Sequence, residues 1–245
     1  MKYFFFFMTA ILLSVISASL YDGQGATVKS IAEKQIQLTQ LFVNKQQNIV
    51  EDQGTTLANS ESTTHSIVDD SFTDSRDGKV YRTVKIWNQT WMAENLNYAT
   101  SSGSWCHGND NSNCNKYGRL YDWETAKKVC PSGWQLPSNS EWETMVDYLG
   151  GESVAGGKMK ATGTTHWHKP NNAATNLSGF AALPGGSRLS NNSFNHIGYF
   201  GYWWSSSEYS TTYAWHWYIG YNYGYMSRGY DYKTNGFSVR CVRNN

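Results

Sequence analysis

The sequence has few charged residues and almost no net charge. Only 16% of its 245 residues are Asp, Glu, Lys or Arg, and the formal net charge is +1. An average soluble domain has about a quarter of such residues. The chain therefore has no overall field that would gather nucleic acid or an anionic membrane surface, and we expect no nucleic-acid partner. Beyond residue 20 no apolar run is long enough to span a bilayer, so we predict no transmembrane segment in the mature chain.

Motifs of common enzymes and metal sites are also missing. The chain has no Gly-rich phosphate loop, no GxSxG and no HExxH. The alternate residues His166 and His168 are of a type that binds metals, but no carboxylate or third histidine lies nearby in the sequence. We therefore predict no catalytic residue, no metal and no cofactor.

What the sequence does have is an N-terminal export signal. Lys2 precedes an apolar run at residues 3–16, and Ser17-Ala18-Ser19 offers small residues for cleavage. A membrane anchor is the alternative, but the run is shorter than the roughly 20 apolar residues of a spanning helix. We interpret residues 1–19 as a signal peptide and predict an exported protein: extracellular, on the cell surface or periplasmic.

Residues 20–75 are predicted to be a low-complexity spacer. The first part has four apolar residues at roughly helical spacing: Ile31, Leu38, Phe42 and Ile49. A short amphipathic helix and a frayed linker both fit this pattern. Residues 53–75 are rich in Ser, Thr and Asp, and such a segment buries too little apolar area to offset the entropy of ordering. The folded domain is therefore placed at residues 76–245, which contain all eleven tryptophans.

Residue periodicity predicts a hairpin at the start of the domain. Residues 79–87 and Thr90-Trp91-Met92 are strand-like, with Val80, Val84 and Ile86 on one face of the first strand.

Two helices follow. The first covers residues 122–129, with Asp122 and Glu124 in a first turn where carboxylates favour the helix dipole. The second begins at Ser138, which forms a capping box with Glu141, so Glu141 is better explained as a capping residue than as a general base. Its buried stripe follows helical spacing: Trp142, Met145, Val146 and Leu149. Gly150 ends the helix.

The remainder is predicted to form short strands. Residues 202–207, 213–219 and 225–232 are strand-like, and residues 237–242 form a final strand after the turn Asn235-Gly236. Helices followed by a run of strands predict an α+β domain with two short N-terminal helices and a small, twisted antiparallel sheet.

Four cysteines allow three pairings, and an oxidising compartment favours disulfides. Cys106 and Cys114 flank the short polar loop HGNDNSN, Cys130 ends the first predicted helix, and Cys241 faces inward on the last strand. We choose the pairs Cys106–Cys114 and Cys130–Cys241. A zinc site, which lacks the usual CxxC spacing, and a reactive thiol are the alternatives.

Several motifs resemble one family, the Fibrobacter succinogenes major paralogous domain. They occur in order over about residues 76–245: DGKVYRTVKIWNQTWMAENLNY (77–98), YGRLYDWETAKKVCPSGWQLPSNSEWETM (117–145), GFAALPGGSR (179–188), YWWSSSE (202–208) and NGFSVRCVRN (235–244). Trp87 departs from the family pattern, which has a small turn residue such as Gly at this position.

The resemblance implies a C-type-lectin-like fold, in which a helix cysteine pairs with one on the last strand, here Cys130 with Cys241. The same group includes formylglycine-generating enzymes, whose LPTEAEWE-like and GFR segments are similar to residues 136–143 and 236–240. Their two closely placed catalytic cysteines have no counterpart here, nor do the EPN, QPD and WND tripeptides of calcium-dependent lectins. The fold hosts both binders and enzymes, so it does not settle function.

Residues 191–233 have the Tyr, Trp, Ser, Asn and Gly composition of an antibody paratope. We predict a metal-independent ligand surface there: Trp203, Trp204, Glu208, Tyr213, Tyr221, Tyr223, Tyr225 and Tyr230. The alternative is that Trp203, Trp215 and Trp217 fill the core. The expected function is a non-catalytic binding module whose partner is a glycan or a cell-surface protein. An enzyme related to formylglycine-generating proteins and a structural envelope protein without a discrete ligand are the alternatives.

Overall fold

The computed structural model of the protein describes residues 70–244. The predicted signal peptide and the predicted spacer up to residue 69 lie outside the described residues. Within residues 70–244 there are four α-helices, several antiparallel strand pairings and two disulfides, so the fold is α+β. No helix in this part of the chain has the length and apolar character needed to span a bilayer.

The first sheet has four antiparallel strands in the order β1 (Asp70–Thr73), β2 (Val80–Ile86), β3 (Gln89–Met92), β12 (Val242–Asn244). Strand β1 lies in the segment that was predicted as spacer, so the folded domain begins earlier than residue 76. Phe72 stacks between Tyr81 and Trp134, with ring centroids 5.6 and 4.7 Å away. One aromatic residue thus anchors a segment whose overall composition is polar.

The predicted β2–β3 hairpin is present, and burial changes along each face of β2. Ile86 is buried, whereas Val80 is 61% exposed and Tyr81 on the opposite face is buried. Strand β1 explains the difference, because its Phe72 covers the Tyr81 side of β2.

Trp87 occupies the hairpin turn with a φ of 58°, and the turn is Trp87-Asn88. A left-handed backbone costs a non-glycine residue roughly 1–2 kcal/mol. The indole is largely exposed and lies 5.4 Å from the Tyr148 ring. The position is therefore one where glycine fits the backbone better than tryptophan does.

The helices are α1 (Asn111–Tyr117), α2 (Trp123–Val129), α3 (Asn139–Tyr148) and α4 (Glu152–Met159). Both predicted helices are confirmed as α2 and α3. Asp122 is the N-cap of α2, and α3 begins with the predicted Ser138–Glu141 capping box. The predicted stripe of α3 is buried, and Gly150 follows the helix with a φ of 102°.

The prediction of only two helices was wrong, because α1 and α4 lie in segments whose composition suggests loops. Helix α1 begins inside the polar Cys106–Cys114 loop and continues to Tyr117. It is capped by Asp110, whose side chain accepts from the Ser112 amide at 2.8 Å. Helix α4 contains Gly156, where a Cβ would lie 2.4 Å from the Tyr225 carbonyl oxygen. Glycine is required there for close packing rather than for a turn.

The second sheet has six strands in the order β10 (Ser227–Tyr232), β9 (Tyr213–Gly220), β8 (Phe200–Glu208), β11 (Phe237–Ser238), β5 (Leu120–Tyr121), β4 (Ser104–Trp105). All neighbours are antiparallel except β11 and β8, which run parallel, so the expected purely antiparallel sheet is corrected. A small pair, β6 (Ser187–Arg188) and β7 (Phe194–Asn195), and a 3₁₀ turn at His107–Asn109 complete the described elements.

The predicted final strand is divided between the two sheets. Its first residues form β11 and its last begin β12, while Val239, Arg240 and Cys241 cross between the sheets in a fully buried segment. Both predicted disulfides, Cys106–Cys114 and Cys130–Cys241, are present. The second bridge fixes the buried crossing to the end of α2.

Candidate binding surface

An exposed aromatic cluster lies where β8 turns into β9. The β9–β10 register places Tyr213 opposite Tyr232 and Trp215 opposite Tyr230, so four rings project from one face of neighbouring strands. Tyr209, in the connection from β8, stacks on Tyr230. We call this set of five residues the aromatic platform: Tyr209, Tyr213, Trp215, Tyr230 and Tyr232.

The platform rings hold one another in place. Tyr209 and Tyr230 are parallel within 1° with centroids 3.9 Å apart, and Trp215 presents its edge to both, at 5.1 and 5.9 Å. Tyr213 and Tyr232 lie 4.7 Å apart. Tyr209, Tyr230 and Tyr232 nevertheless remain 46–50% exposed. Because the rings are already ordered by mutual contact, a ligand that stacks on them loses less side-chain entropy on binding.

The same sheet face is covered farther along β9. Trp217 packs under α3, with its ring 6.3 Å from Trp142 and its Nε1 donating to Asn139 Oδ1 at 3.2 Å. Asn139 is the first residue of α3. The helix therefore covers Trp217, while the rings two and four residues earlier in β9 stay partly open to solvent.

Two ion pairs border the platform. Arg228 pairs with Glu143 of α3 and lies 5.4 Å from the Trp215 ring. Glu208, a predicted ligand residue, pairs with Lys233, and this hydrogen bond lowers the pKa of the Glu208 carboxyl. Both border carboxylates are thus neutralised by neighbours, which leaves the platform essentially uncharged.

The tyrosine hydroxyls of the platform also affect one another's ionisation. The neighbouring Tyr230 hydroxyl raises the pKa of Tyr209, and the Tyr232 hydroxyl raises the pKa of Tyr213. These hydroxyls therefore stay protonated at neutral pH and can donate to or accept from a ligand hydroxyl.

Trp203 and Trp204, which were predicted to contact ligand, are core residues. Both are fully buried on strand β8. Their indole Nε1 atoms are satisfied internally, Trp203 by Asn95 Oδ1 at 2.8 Å and Trp204 by the Tyr121 carbonyl at 2.7 Å. A ligand at the surface cannot reach either ring, so both leave the candidate site.

The remaining predicted tyrosines lie elsewhere. Tyr221, Tyr223 and Tyr225 follow β9, whereas Tyr213 begins it, and eight residues of strand span about 25 Å. Tyr223 and Tyr225 stack with centroids 3.7 Å apart, and Tyr221 packs edge-on against Tyr199. The single ligand surface expected around residues 203–230 is therefore two separate aromatic groups, one at each end of β9.

Comparison with known families supports the motif resemblance. The sequence profile of the Fibrobacter succinogenes major domain matches residues 84–243 of the chain. The chain belongs to this family. Neither a comparison with curated proteins nor one with solved structures found a significant match. The family name describes a domain and names no ligand or reaction.

In this Fibrobacter succinogenes major domain, the residues considered for metal binding or catalysis have other contacts. The His168 ring stacks on Tyr199 at 4.5 Å, and Glu141 accepts from the Ser138 amide at 2.7 Å. Among residues 70–244, no group of three or more His, Cys, Asp or Glu residues is arranged to hold a metal ion. All four cysteines are in disulfides.

Three platform residues of the Fibrobacter succinogenes major domain were not among the predicted ligand residues: Tyr209, Trp215 and Tyr232. A partial signal existed, because Tyr213/Trp215 and Tyr230/Tyr232 each repeat with a period of two, which places each pair on one strand face. What was missing was the β9–β10 register, which brings the two pairs together. Tyr209 joins them only through the connection after β8.

Proposed function

We propose that this protein is an exported, non-catalytic binding module with a C-type-lectin-like fold, and that its aromatic platform stacks against a neutral glycan. The observation that carries the proposal is the set of five mutually packed, partly exposed rings at one end of the β8–β9–β10 sheet. Aromatic faces offer apolar area to the C–H faces of a sugar, and the tyrosine hydroxyls offer hydrogen bonds to its hydroxyls.

A neutral ligand is favoured by the charges around the platform. The two border carboxylates, Glu143 and Glu208, are each paired with a cation. A charged ligand would have to compete with these pairs, whereas an uncharged sugar would not. Binding without a metal agrees with the absence of the calcium-lectin tripeptides from the sequence.

Two features favour export and a lectin-like fold. Disulfides persist in oxidising compartments, and this domain uses all its cysteines in two of them. The Cys130–Cys241 bridge joins the end of a helix to the C-terminal strand region, which is the pairing that the resemblance to C-type-lectin-like domains implies. The same bonding argues against the enzyme alternative, because thiol chemistry would need a reduced cysteine.

The test is an array of neutral and acidic glycans and immobilised cell-surface proteins, probed with the full chain with and without a chelator. We expect retention on neutral glycans that is insensitive to the chelator. Tyr209→Ala should weaken it about fivefold, since one aromatic contact contributes about 1 kcal/mol. Tyr148→Ala is the matched control, because Tyr148 is an exposed tyrosine on α3 outside the platform.

Three outcomes would contradict the proposal. Retention only on proteins would identify a protein ligand, and loss of retention with chelator would revive a metal-dependent lectin mechanism. Unchanged retention by folded Tyr209→Ala, with loss in Tyr225→Ala, would move the site to the other end of β9.

A further inference from the structure

A polar cleft separate from the platform lies between β2, the segment after β3, and α1. Its volume is about 410 Å³, within the range of about 300–1,000 Å³ that small-molecule sites occupy. The residues that define this basic cleft are Lys79, Arg82, Glu94, Asn95, Lys116 and His166. None of them belongs to the aromatic platform.

The cleft has an excess of positive charge. Its lining includes the cations Lys79, Arg82 and Lys116 but a single carboxylate, Glu94. Glu94 pairs with Arg82 at 3.1 Å, and Lys79 pairs with Asp77 at 3.2 Å. Lys116 takes part in none of the ion pairs found in residues 70–244, so its charge is available to a ligand.

A buried cation behind the cleft wall adds to this charge. The Arg240 guanidinium is fully buried and donates to Asn95 Oδ1 at 2.9 Å and to the Met92 carbonyl at 3.1 Å. The Arg240 guanidinium also donates to the carbonyl oxygens of Phe180 and Ala181. Among the described residues, no ion pair includes Arg240. Asn95 lines the cleft, so the Arg240 charge lies one side chain behind the wall. In a low-dielectric interior such a charge is weakly screened.

The cleft also contains an unsatisfied polar atom. His166 has a buried Nδ1 without a hydrogen-bond partner. Burial, and secondarily the charge of Lys116, lower the pKa of His166, so the ring is neutral at pH 7. Buried polar atoms of native proteins nearly always have a partner, and a bound ligand or water hydroxyl would supply one here.

We propose that the basic cleft binds a carboxylate-bearing sugar of the uronic-acid class. Lys116, which is in none of the ion pairs of the described residues, supplies the charge for the carboxylate, and charge-assisted hydrogen bonds of this kind are about twice as strong as neutral ones. Amide side chains of the lining, Asn97 and Asn115, and the His166 ring suit sugar hydroxyls. A single inorganic anion would leave most of the 410 Å³ unfilled. This site is distinct from the proposed neutral-glycan surface and does not depend on it.

The test titrates the full chain with glucuronate, glucose and inorganic phosphate and measures each dissociation constant by NMR. We expect glucuronate to bind at least tenfold more tightly than glucose or phosphate. Lys116→Gln, a change on an exposed side chain of α1, should weaken glucuronate about tenfold. The control is Lys85→Gln, at an exposed position of β2 outside the cleft, which should leave the affinity for glucuronate unchanged.

Two further results decide the matter. Tyr230→Ala should leave glucuronate binding intact, which separates this site from the platform. Equal affinity for glucose and glucuronate would overturn the proposal, as would a folded Lys116→Gln with unchanged affinity. Equal affinity for phosphate and glucuronate would show only a non-specific anion patch and would also overturn it.

Discussion

Removal of the Cys130–Cys241 disulfide should destabilise the domain much more than removal of Cys106–Cys114. The bridges join residues 111 and 8 positions apart. In the chain-entropy account these loops contribute about 4.8 and about 2.5 kcal/mol. Paired Cys→Ala replacements should therefore differ by about 2 kcal/mol in the free energy of unfolding.

Packing around the sulfur atoms affects both variants. Cys241 is fully buried in a core cluster that includes Trp204 and Phe237, and Cys106 and Cys114 are also buried. Loss of sulfur contacts therefore adds to the cost of each replacement. The difference between the two variants mainly reports loop length, which is the quantity under test.

The measurement is urea unfolding followed by tryptophan fluorescence, with peptide mapping under non-reducing conditions to establish that each variant keeps its other bridge. The long-range variant should also melt roughly 4–8 °C below the short-range one, since 1 kcal/mol shifts the melting temperature of a domain this size by about 2–4 °C. Equal losses, or a greater loss for the Cys106–Cys114 pair, would refute the reasoning.

Two further predictions follow from single residues. Burial lowers the pKa of His216 from 6.5 to about 4, so the unfolded chain takes up this proton first as pH falls. This group should therefore lower the free energy of unfolding by about 2–3 kcal/mol between pH 7 and pH 4.5. In urea titrations, His216→Phe should lose less stability than the wild type over this pH range; equal losses in the two proteins would contradict this. Trp87→Gly should be about 1 kcal/mol more stable than Trp87→Ala, because only glycine relieves the positive φ; thermal melts that rank alanine higher would contradict this.

The elements that sequence patterns predicted well are those in which local chemistry and packing agree. Helix α3 has a capping box, a stripe at helical spacing and a terminal glycine, and the structure shows all three. The three long strands β8, β9 and β10 likewise follow aromatic runs bounded by turn residues. The disulfides were predictable because Cys106 and Cys114 flank a short polar loop, while Cys130 ends a predicted helix and Cys241 faces inward on the predicted last strand.

Tertiary packing overrode composition where the prediction failed. Helix α4 contains two adjacent glycines that composition assigns to a loop, yet they let the helix approach the Tyr225 carbonyl and Ala173. Strand β1 has the polar composition of a spacer, but its Phe72 packs against Trp134, which lies sixty-two positions later in the chain. Neither contact can be predicted from the residues next to it in the sequence.

The candidate surface was predicted only in part for the same reason. Composition pointed to the aromatic C-terminal segment, but burial divides it. Trp203 and Trp204 point to opposite faces of β8. Both side chains are buried in a hydrophobic core, because the sheet is covered on both faces there. In this segment, aromatic rings are exposed only at the ends of β9, which α3 does not cover. The β9–β10 register determines which of these rings contact one another.

The most direct test of the proposed function is a double-mutant cycle on the two stacked rings. Calorimetry would give the dissociation constant of a neutral glycan selected on the array for the wild type, Tyr209→Ala, Tyr230→Ala and the double variant, with chelator present. We predict about fivefold weakening in each single variant. The double variant should lose less than the product of the two, since rings 3.9 Å apart support one another. Wild-type affinity in folded single and double variants would contradict the claim that this platform binds the glycan.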